Sequence, residues 1–370
     1  MRLIYLIDEI MIKGGTEKHL WDLAYGMSRR GHDVIVISLA DGAFGRLFEE
    51  AKDFKYFCLK IRRVYELKGI IGFLKLISII RSSKTQIVQT FHTASDLIGP
   101  LAAFIAHRNV ISISSRRDMG YTKAPRHVFA QRLVNVFVSN FLANSKAVQN
   151  QIHSFEKVEH PKVKVIYNGI DTEIFMKKNF IYTNSLKHDL SDKFCIGTVA
   201  NLRKVKGIHF LLEAAKLLEN YPDIVFLIAG DGEERDKLEQ LTVDLRISEK
   251  VHFLGWIENI PAFLSCLSIY IQPSITEGFS NSILEAMASE LPVIATAVGG
   301  NKEIINDHID GILIDPGDSS AIARNIDFLY KDQNKRREIA KKGMNKVFDF
   351  YSLSHMLNEY ESFYASFGRH

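Results

Sequence analysis

Residues 3–39 read LIYLIDEIMIKGGTEKHLWDLAYGMSRRGHDVIVISL, and this stretch decides the fold. An apolar run, Leu3 to Ile7, stops at Asp8 and Glu9. A loop holding Lys13, Gly14 and Gly15 follows, then a helix-period pattern to Arg30, then Gly31 and a second apolar run, Val34 to Leu39. Gly31 suits the left-handed residue that ends a helix, and the β-branched VIVIS run suits a parallel strand covered on both faces. The unit is therefore strand, loop, helix, strand. Similar runs at Gln86 to Phe91, Val110 to Ser114 and Val138 to Ala143, separated by helical stretches, predict a doubly wound α/β domain.

The pattern breaks after VIYNGID, Val165 to Asp171, in a polar stretch from Asn184 to Asp192, and then restarts. Strands are expected at Cys195 to Val199, Ile224 to Ala229, Val251 to Leu254, Ile269 to Gln272, Val293 to Thr296 and Ile312 to Ile314. Helices are expected between them, at Gly207 to Leu218 and Glu233 to Leu245 among others. The chain thus reads as two Rossmann-like domains, 1–170 and 171–350. Ligands of open parallel sheets sit beyond the carboxyl ends of the strands, so two such domains are expected to face each other across a cleft.

Composition agrees. A chain of 370 residues, 46% hydrophobic and 24% charged, exceeds what one core usually serves and is no disordered polymer. Eight prolines, 23 glycines and no repeat exclude collagen, solenoids and propellers. Cys58, Cys195 and Cys266 are odd in number and far apart, which supports neither a disulfide framework nor a zinc cluster and points to a reducing, cytoplasmic home. The opening apolar run is too short for a signal peptide. Gly69 to Ile80, interrupted by Lys75, has about half the length a membrane-spanning helix needs. Residues 1–170 carry 25 Lys and Arg against 14 Asp and Glu, or +11, whereas 171–370 carry 22 against 29, or −7. A basic first half fits a phosphorylated ligand or an anionic surface, or is a solvated face.

The loops after strands hold the candidate chemistry. Gly14, Gly15, Thr16 and Glu17 open the first helix, where backbone amides favour an anion. The spacing is not GxGxxG, which counts against a dehydrogenase. Arg203, Lys204 and Lys206 precede Gly207 between a strand and a helix, cations suited to a diphosphate or simply a basic surface. Glu277 and Glu285 flank Gly278, Phe279, Ser280, Asn281 and Ser282. Their spacing proves little, since Glu9 and Glu17 share it, but their context differs. A carboxylate after a strand can accept from sugar hydroxyls, the helix start faces phosphate, and a second carboxylate can grip a ribose diol; alternatively Glu285 only favours the helix dipole. His92 ends a strand, where an imidazole is structural or catalytic. Arg116 and Arg117 suit anion recognition or an ion pair with Asp118. No HExxH, CxxC or DxD spacing occurs, so no catalytic metal is expected.

The ordered set GGTE (14–17), VIYNGID (165–171), NLRKVKG (201–207), IAGDGEE (228–234), FLGW (253–256), PSITEGFSNSILEAMASELPVIATAVGG (273–300) and DGILIDPGD (310–318) resembles family 4 of the retaining glycosyltransferases, of the GT-B fold. The carboxy-terminal half matches strongly and the amino-terminal half more loosely. The resemblance implies transfer of a sugar from a nucleotide diphosphate sugar, UDP-sugar favoured over GDP-sugar, with no cofactor and no metal. It implies Gly15, with Gly14, beside the donor diphosphate, Arg203 and Lys206 neutralising it, Glu285 on the ribose, and Glu277 on the donor sugar. Gly278, Phe279, Ser280 and Asn281 would help bind the donor. His92 would stand near the reacting centre on the acceptor side with Thr16, Glu17, Arg116 and Arg117. Many relatives place an arginine where Asn201 stands here, with Arg203 nearer the lysine. A last helix, about 351–370, is expected to return to the first domain.

The implied partners are a nucleotide-sugar donor and a glycan or lipid-linked acceptor. With the +11 half and the amphipathic Leu67 to Ile80, an anionic membrane surface is a further candidate, which would put the protein peripherally on the inner face; that apolar stripe reads equally as core. Rival readings are a sugar-nucleotide epimerase on the same fold and a non-catalytic nucleotide-sugar-binding protein. No nucleic acid is expected, since the basic half lacks aromatic interleaving or a known module.

Overall fold

A computed structural model of the chain describes all residues except 12–13, 62–65, 121–124, 177–189, 191 and 369–370. Lys13 and most of the polar stretch 184–192 lie outside the described residues. The chain divides into two compact units, Met1–Asn168 with Leu353–His370, and Gly169–Ser352.

The first unit is built on seven strands: β1 (Arg2–Ile7), β2 (Asp33–Ser38), β3 (Lys55–Cys58), β4 (Ile87–Phe91), β5 (Ile111–Arg116), β6 (Asn140–Ala143) and β7 (Val163–Val165). They pair in the order β3-β2-β1-β4-β5-β6-β7, all parallel. The two edge strands, β3 and β7, add to the five that the sequence predicts. Each is short, and β3 alternates exposed with half-buried residues, so neither carries the continuous apolar run of a central strand.

Successive side chains of β1 point to opposite faces of the sheet and enter two cores. Leu3, Tyr5 and Ile7 pack with Leu20, Leu23 and Met27 of the Gly15–Arg29 helix and with Met356, Tyr360 and Tyr364 of the Leu353–Ala365 helix. Ile4 and Leu6 pack with Leu76 and Ile80 of the Leu67–Ser82 helix and with Ile98 and Ala102 of the Thr93–Ala106 helix. Gly26 is where the first and last helices meet, since a Cβ there would stand 2.4 Å from a Leu357 methyl. The Leu67–Ser82 helix is apolar on both sides. Gly69, Gly72, Leu76, Ile77 and Ile80 are buried, while Leu67, Ile70, Ile71 and Leu74, at helical i, i+3, i+4, i+7 spacing, are more than half exposed. No helix among the described residues is long and apolar enough to cross a membrane.

The second unit holds β8 (Phe194–Val199), β9 (Ile224–Ala229), β10 (Val251–Gly255), β11 (Ile269–Gln272), β12 (Val293–Thr296) and β13 (Ile312–Ile314), paired in parallel in the order β10-β9-β8-β11-β12-β13. All six coincide with predicted strands to within a residue; five are apolar runs that are mostly buried, and β10, Val-His-Phe-Leu-Gly, is half-buried beyond Val251. The Ile208–Leu217 and Ser319–Lys331 helices cover one face of the sheet.

Both sheets change winding direction once, between β1 and β4 and between β8 and β11. The connections after those strands run to opposite faces, which leaves a crevice at their carboxyl ends where open α/β sheets take ligands.

Candidate functional site

In the second unit that crevice is made by residues 200–207 after β8 and 273–281 after β11. Ile275 N–H donates to the Val205 carbonyl at 2.8 Å and ties the two loops together. Lys206 Nζ lies 2.6 Å from Glu277 Oε1, with the lysine side chain 25% and the glutamate 10% exposed. The same oxygen accepts from Ser274 Oγ at 2.8 Å and Gln272 Nε2 at 2.9 Å. Gln272 is in turn oriented by Tyr270, whose hydroxyl donates to Gln272 Oε1 at 2.9 Å, and by Ser282 Oγ at 3.2 Å. Burial raises the Tyr270 hydroxyl's pKa far above its usual value, so it stays a neutral donor. Three donors therefore converge on Oε1 and fix the carboxylate, leaving Oε2 for another donor.

Backbone crowding makes the loops rigid. Gly207 has φ +64°, and a Cβ there would stand 2.1 Å from the Pro273 carbonyl. Gly299, at φ +47° in the loop after β12, lies so close beneath Glu277 that a Cβ would come within 1.7 Å of its carbonyl oxygen. Both positions require glycine because the left-handed conformation and a neighbouring backbone coincide.

Of the predicted residues in this unit, Ser280 is buried and caps the Asn281–Ala288 helix, accepting from Ile283 N–H at 3.4 Å. Phe279 is buried against Tyr351, ring centroids 5.8 Å apart. Gly278 supplies the carbonyl beneath Gly300. Glu285 lies in the second turn of the Asn281–Ala288 helix and is buried. Arg203 is exposed, and among the described residues no hydrogen bond or ion pair holds its side chain.

The first unit has its own crevice beside β1 and β4. Gly14 is the N-cap of the Gly15–Arg29 helix, and Thr16 and Glu17 lie in its first turn. Gly14 has an ordinary φ of −78°; the end of the Glu17 side chain folds back over it, with Oε2 2.6 Å from where a Cβ would be, a contact the flexible glutamate could relieve. His92 is half-buried and is the N-cap of the Thr93–Ala106 helix. Arg117 extends to Asn168 Oδ1 at 2.5 Å.

Arg116 departs from its expected place facing an acceptor. It is the last residue of β5, buried, and engaged by Glu156 through Nε and Nη2 at 2.8 Å each, and by Asp96 and Ser114 through Nη1. Its ion pairs are internal, with Asp96 and Glu156 rather than Asp118, and almost all its donors are spent. The sequence could not show this because both partners come from other elements.

Sequence reasoning also passed over Asp8, Gln272 and Ser274. Each carries one signal: a polar residue at or just past the carboxyl end of an apolar strand next to the change in winding. Among the described residues no group of three His, Cys, Asp or Glu stands where it could hold a metal ion.

Two all-parallel Rossmann-like units in one chain are the architecture of the GT-B class of α/β proteins. The family model "Glycosyltransferase Family 4" matches residues 13–174, and "Glycosyl transferases group 1" matches 181–346. The chain belongs to the glycosyltransferases of the family 4 type and is a transferase.

It is 26% identical over 359 residues to the capsular polysaccharide biosynthesis glycosyltransferase CapM of Staphylococcus aureus, covering 92% of each chain. It is 25% identical over 324 residues to the UDP-Gal:alpha-D-GlcNAc-diphosphoundecaprenol alpha-1,3-galactosyltransferase of Escherichia coli, covering 83% of this chain and 81% of that one. The crystal structure of Anabaena Alr3699/HepE in complex with UDP-glucose shares the fold, with a TM-score of 0.86, 24% identity, and 98% of this chain and 99% of that chain covered.

Proposed function

We propose that the protein moves a hexose from a nucleotide diphosphate sugar, a UDP-sugar in preference to a GDP-sugar, to a hydroxyl of a glycan or lipid-linked acceptor in glycoconjugate biosynthesis. In this reading the anomeric configuration is retained and no metal is needed. The observation that carries it is the Lys206–Glu277 pair held by Gln272 and Ser274 at the carboxyl end of the second sheet. A cation and a fixed acceptor side by side match the two ends of a sugar diphosphate, its leaving phosphate and its hydroxyls. The names of the E. coli relative and of the UDP-glucose complex support a UDP-sugar.

Lys206 and Arg203 are assigned to the diphosphate, Glu285 to the ribose, and Glu277 to a donor-sugar hydroxyl through Oε2. Gly14 and Gly15 are assigned to the diphosphate from the first unit, and Gly278, Phe279, Ser280 and Asn281 to the helix start beside the sugar. His92, with Thr16, Glu17 and Arg117, serves the acceptor. The bond between the anomeric carbon and the β-phosphate oxygen breaks as the acceptor oxygen bonds the same face. The acceptor's proton passes to the departing phosphate, whose charge the cations stabilise.

The deciding experiment is a thermal-shift panel of UDP-, GDP- and ADP-sugars followed by transfer assays in excess chelator. Stabilisation by UDP-sugars and undiminished transfer in chelator are expected; dependence on added Mg2+ or Mn2+ would remove the metal-free part. A product of inverted configuration would remove the retaining part.

The exposed row Leu67, Ile70, Ile71 and Leu74, with exposed Lys68 and Lys75 on the same helix, supports a peripheral seat on an anionic, cytoplasmic membrane face. Cosedimentation with vesicles containing anionic lipid, reduced in Ile71→Asp/Leu74→Asp, is the expected result; equal recovery with neutral vesicles would remove the membrane from the account.

A further inference from the structure

His92 has φ 77° and ψ 171°, a backbone region that glycine occupies and other residues enter only where the surroundings force them. It is also the N-cap of the Thr93–Ala106 helix, the position from which Ser, Thr, Asp or Asn usually turns its own side chain onto the second and third helical amides. His92 makes no such bond, and among the described residues its imidazole has no hydrogen-bond partner.

The cap arrives from another strand. β1 lies beside β4 with Ile7 opposite Phe91, which brings Asp8 next to the start of the helix. Asp8 Oδ2 accepts from Ala94 N–H at 2.9 Å and Oδ1 from Ser95 N–H at 2.6 Å. From the other side, the His92 carbonyl accepts from Asp96 N–H and from Ser95 Oγ, each at 3.1 Å. The His92 carbonyl is thus held by the first turn of the helix, and that turn is held by Asp8, while among the described residues the imidazole stays unengaged.

We propose that Asp8 is a positioning residue for His92: it caps the helix in place of residue 92, holds the strained backbone there, and so keeps the imidazole aimed and unengaged for the acceptor. The inference rests on the acceptor-side role given to His92 above. Both carboxylate oxygens of Asp8 are taken by amides, so Asp8 acts through the histidine and not as a base. The same bonds occupy the amides of Ala94 and Ser95, so neither is left to donate to a phosphate.

The test is a double-mutant cycle in the full-length protein. Asp8→Ala is expected to lower kcat about 10-fold to 100-fold, the scale of a misplaced group, while the donor KM changes less than about twofold. In a His92→Ala background the same substitution should cost less than about twofold more, because its only route of action is gone. Asp8→Asn, which keeps an acceptor for one amide, should recover most of the rate. An equal loss in both backgrounds, or an Asp8→Ala enzyme as fast as the parent, overturns the proposal.

If Asp8→Ala does not fold, Asp8→Asn and Asp8→Ser are carried through the same cycle. The His92 ring resonance, assigned by its loss in His92→Ala, gives a readout free of turnover. It should shift in the Asp8 variants together with the amides of Ala94 and Ser95, and an unmoved ring signal overturns the proposal. If the parent protein turns over no sugar nucleotide, the proposed function fails while the ring signal still decides the positioning claim.

Discussion

Glu277 gathers three donors on one oxygen, and the arrangement makes its two oxygens chemically different. Oε1 is spent on Lys206, Ser274 and Gln272, which leaves Oε2 for the sugar hydroxyl proposed above. If Lys206 holds the diphosphate as proposed, Lys206→Ala should cost about 10²–10³-fold in kcat/KM, measured with saturating acceptor. Glu277→Gln keeps the shape but weakens the hold on Lys206, and should lower kcat/KM with the melting temperature nearly unchanged; a fully active variant would take Glu277 out of the site.

His19 makes a different kind of prediction. It is buried, its Nε2 3.1 Å from the Tyr360 hydroxyl, and burial together with the nearby Arg117 cation holds its pKa well below 6.5. The folded protein therefore keeps it neutral while the unfolded chain protonates it. Stability is full above about pH 6.5 and falls as the pH drops below that value, by up to about 1.4 kcal/mol per pH unit. Denaturant unfolding at pH 7 and pH 5.5 should show this loss in the parent and a smaller one in His19→Gln.

At the scale of elements, the loops are set by backbone contacts between them. Gly299→Ala would push a methyl into the Glu277 carbonyl, and Gly207→Ala one into that of Pro273, each at a left-handed φ. Each should cost more than about 2 kcal/mol, and the shifted loop should weaken nucleotide binding as well, read by denaturant titration and calorimetry. Gly317→Ala is the control. It too has positive φ, at +87°, but its Cβ would meet only a Phe210 ring at 3.5 Å, so binding should be spared. The helices and central strands that carry these loops were legible in the sequence because their buried faces repeat with the period of the element. The edge strands β3 and β7 were not, because β3 exposes every second residue and β7 is three residues long with an exposed lysine in the middle, so neither shows a continuous apolar run.

At the scale of the molecule, the first unit is completed by the end of the chain. Tyr360 and Tyr364 are fully buried, and the Tyr364 hydroxyl donates to Gln89 at 2.5 Å in the middle of the sheet. A chain ended after Ser352 loses these rings, and calorimetry should show the first unit's transition lost or lowered while the second unit, which contains no residue beyond 352, keeps its own transition and the UDP binding proposed for it.

Periodicity and strand-end polarity determined two doubly wound α/β domains and the loops that hold candidate chemistry, and the ordered motifs carried the resemblance to the glycosyltransferases. These are local properties: burial on both faces demands an apolar run, and a loop before a helix demands glycine and capping residues. Other features were decided only by the tertiary structure: that Arg116 is consumed by Asp96 and Glu156, that Gln272 and Ser274 fix Glu277, and that Asp8 caps the helix of His92. In each case the partner comes from another strand or helix, and a hydrogen bond between elements leaves no period in the chain.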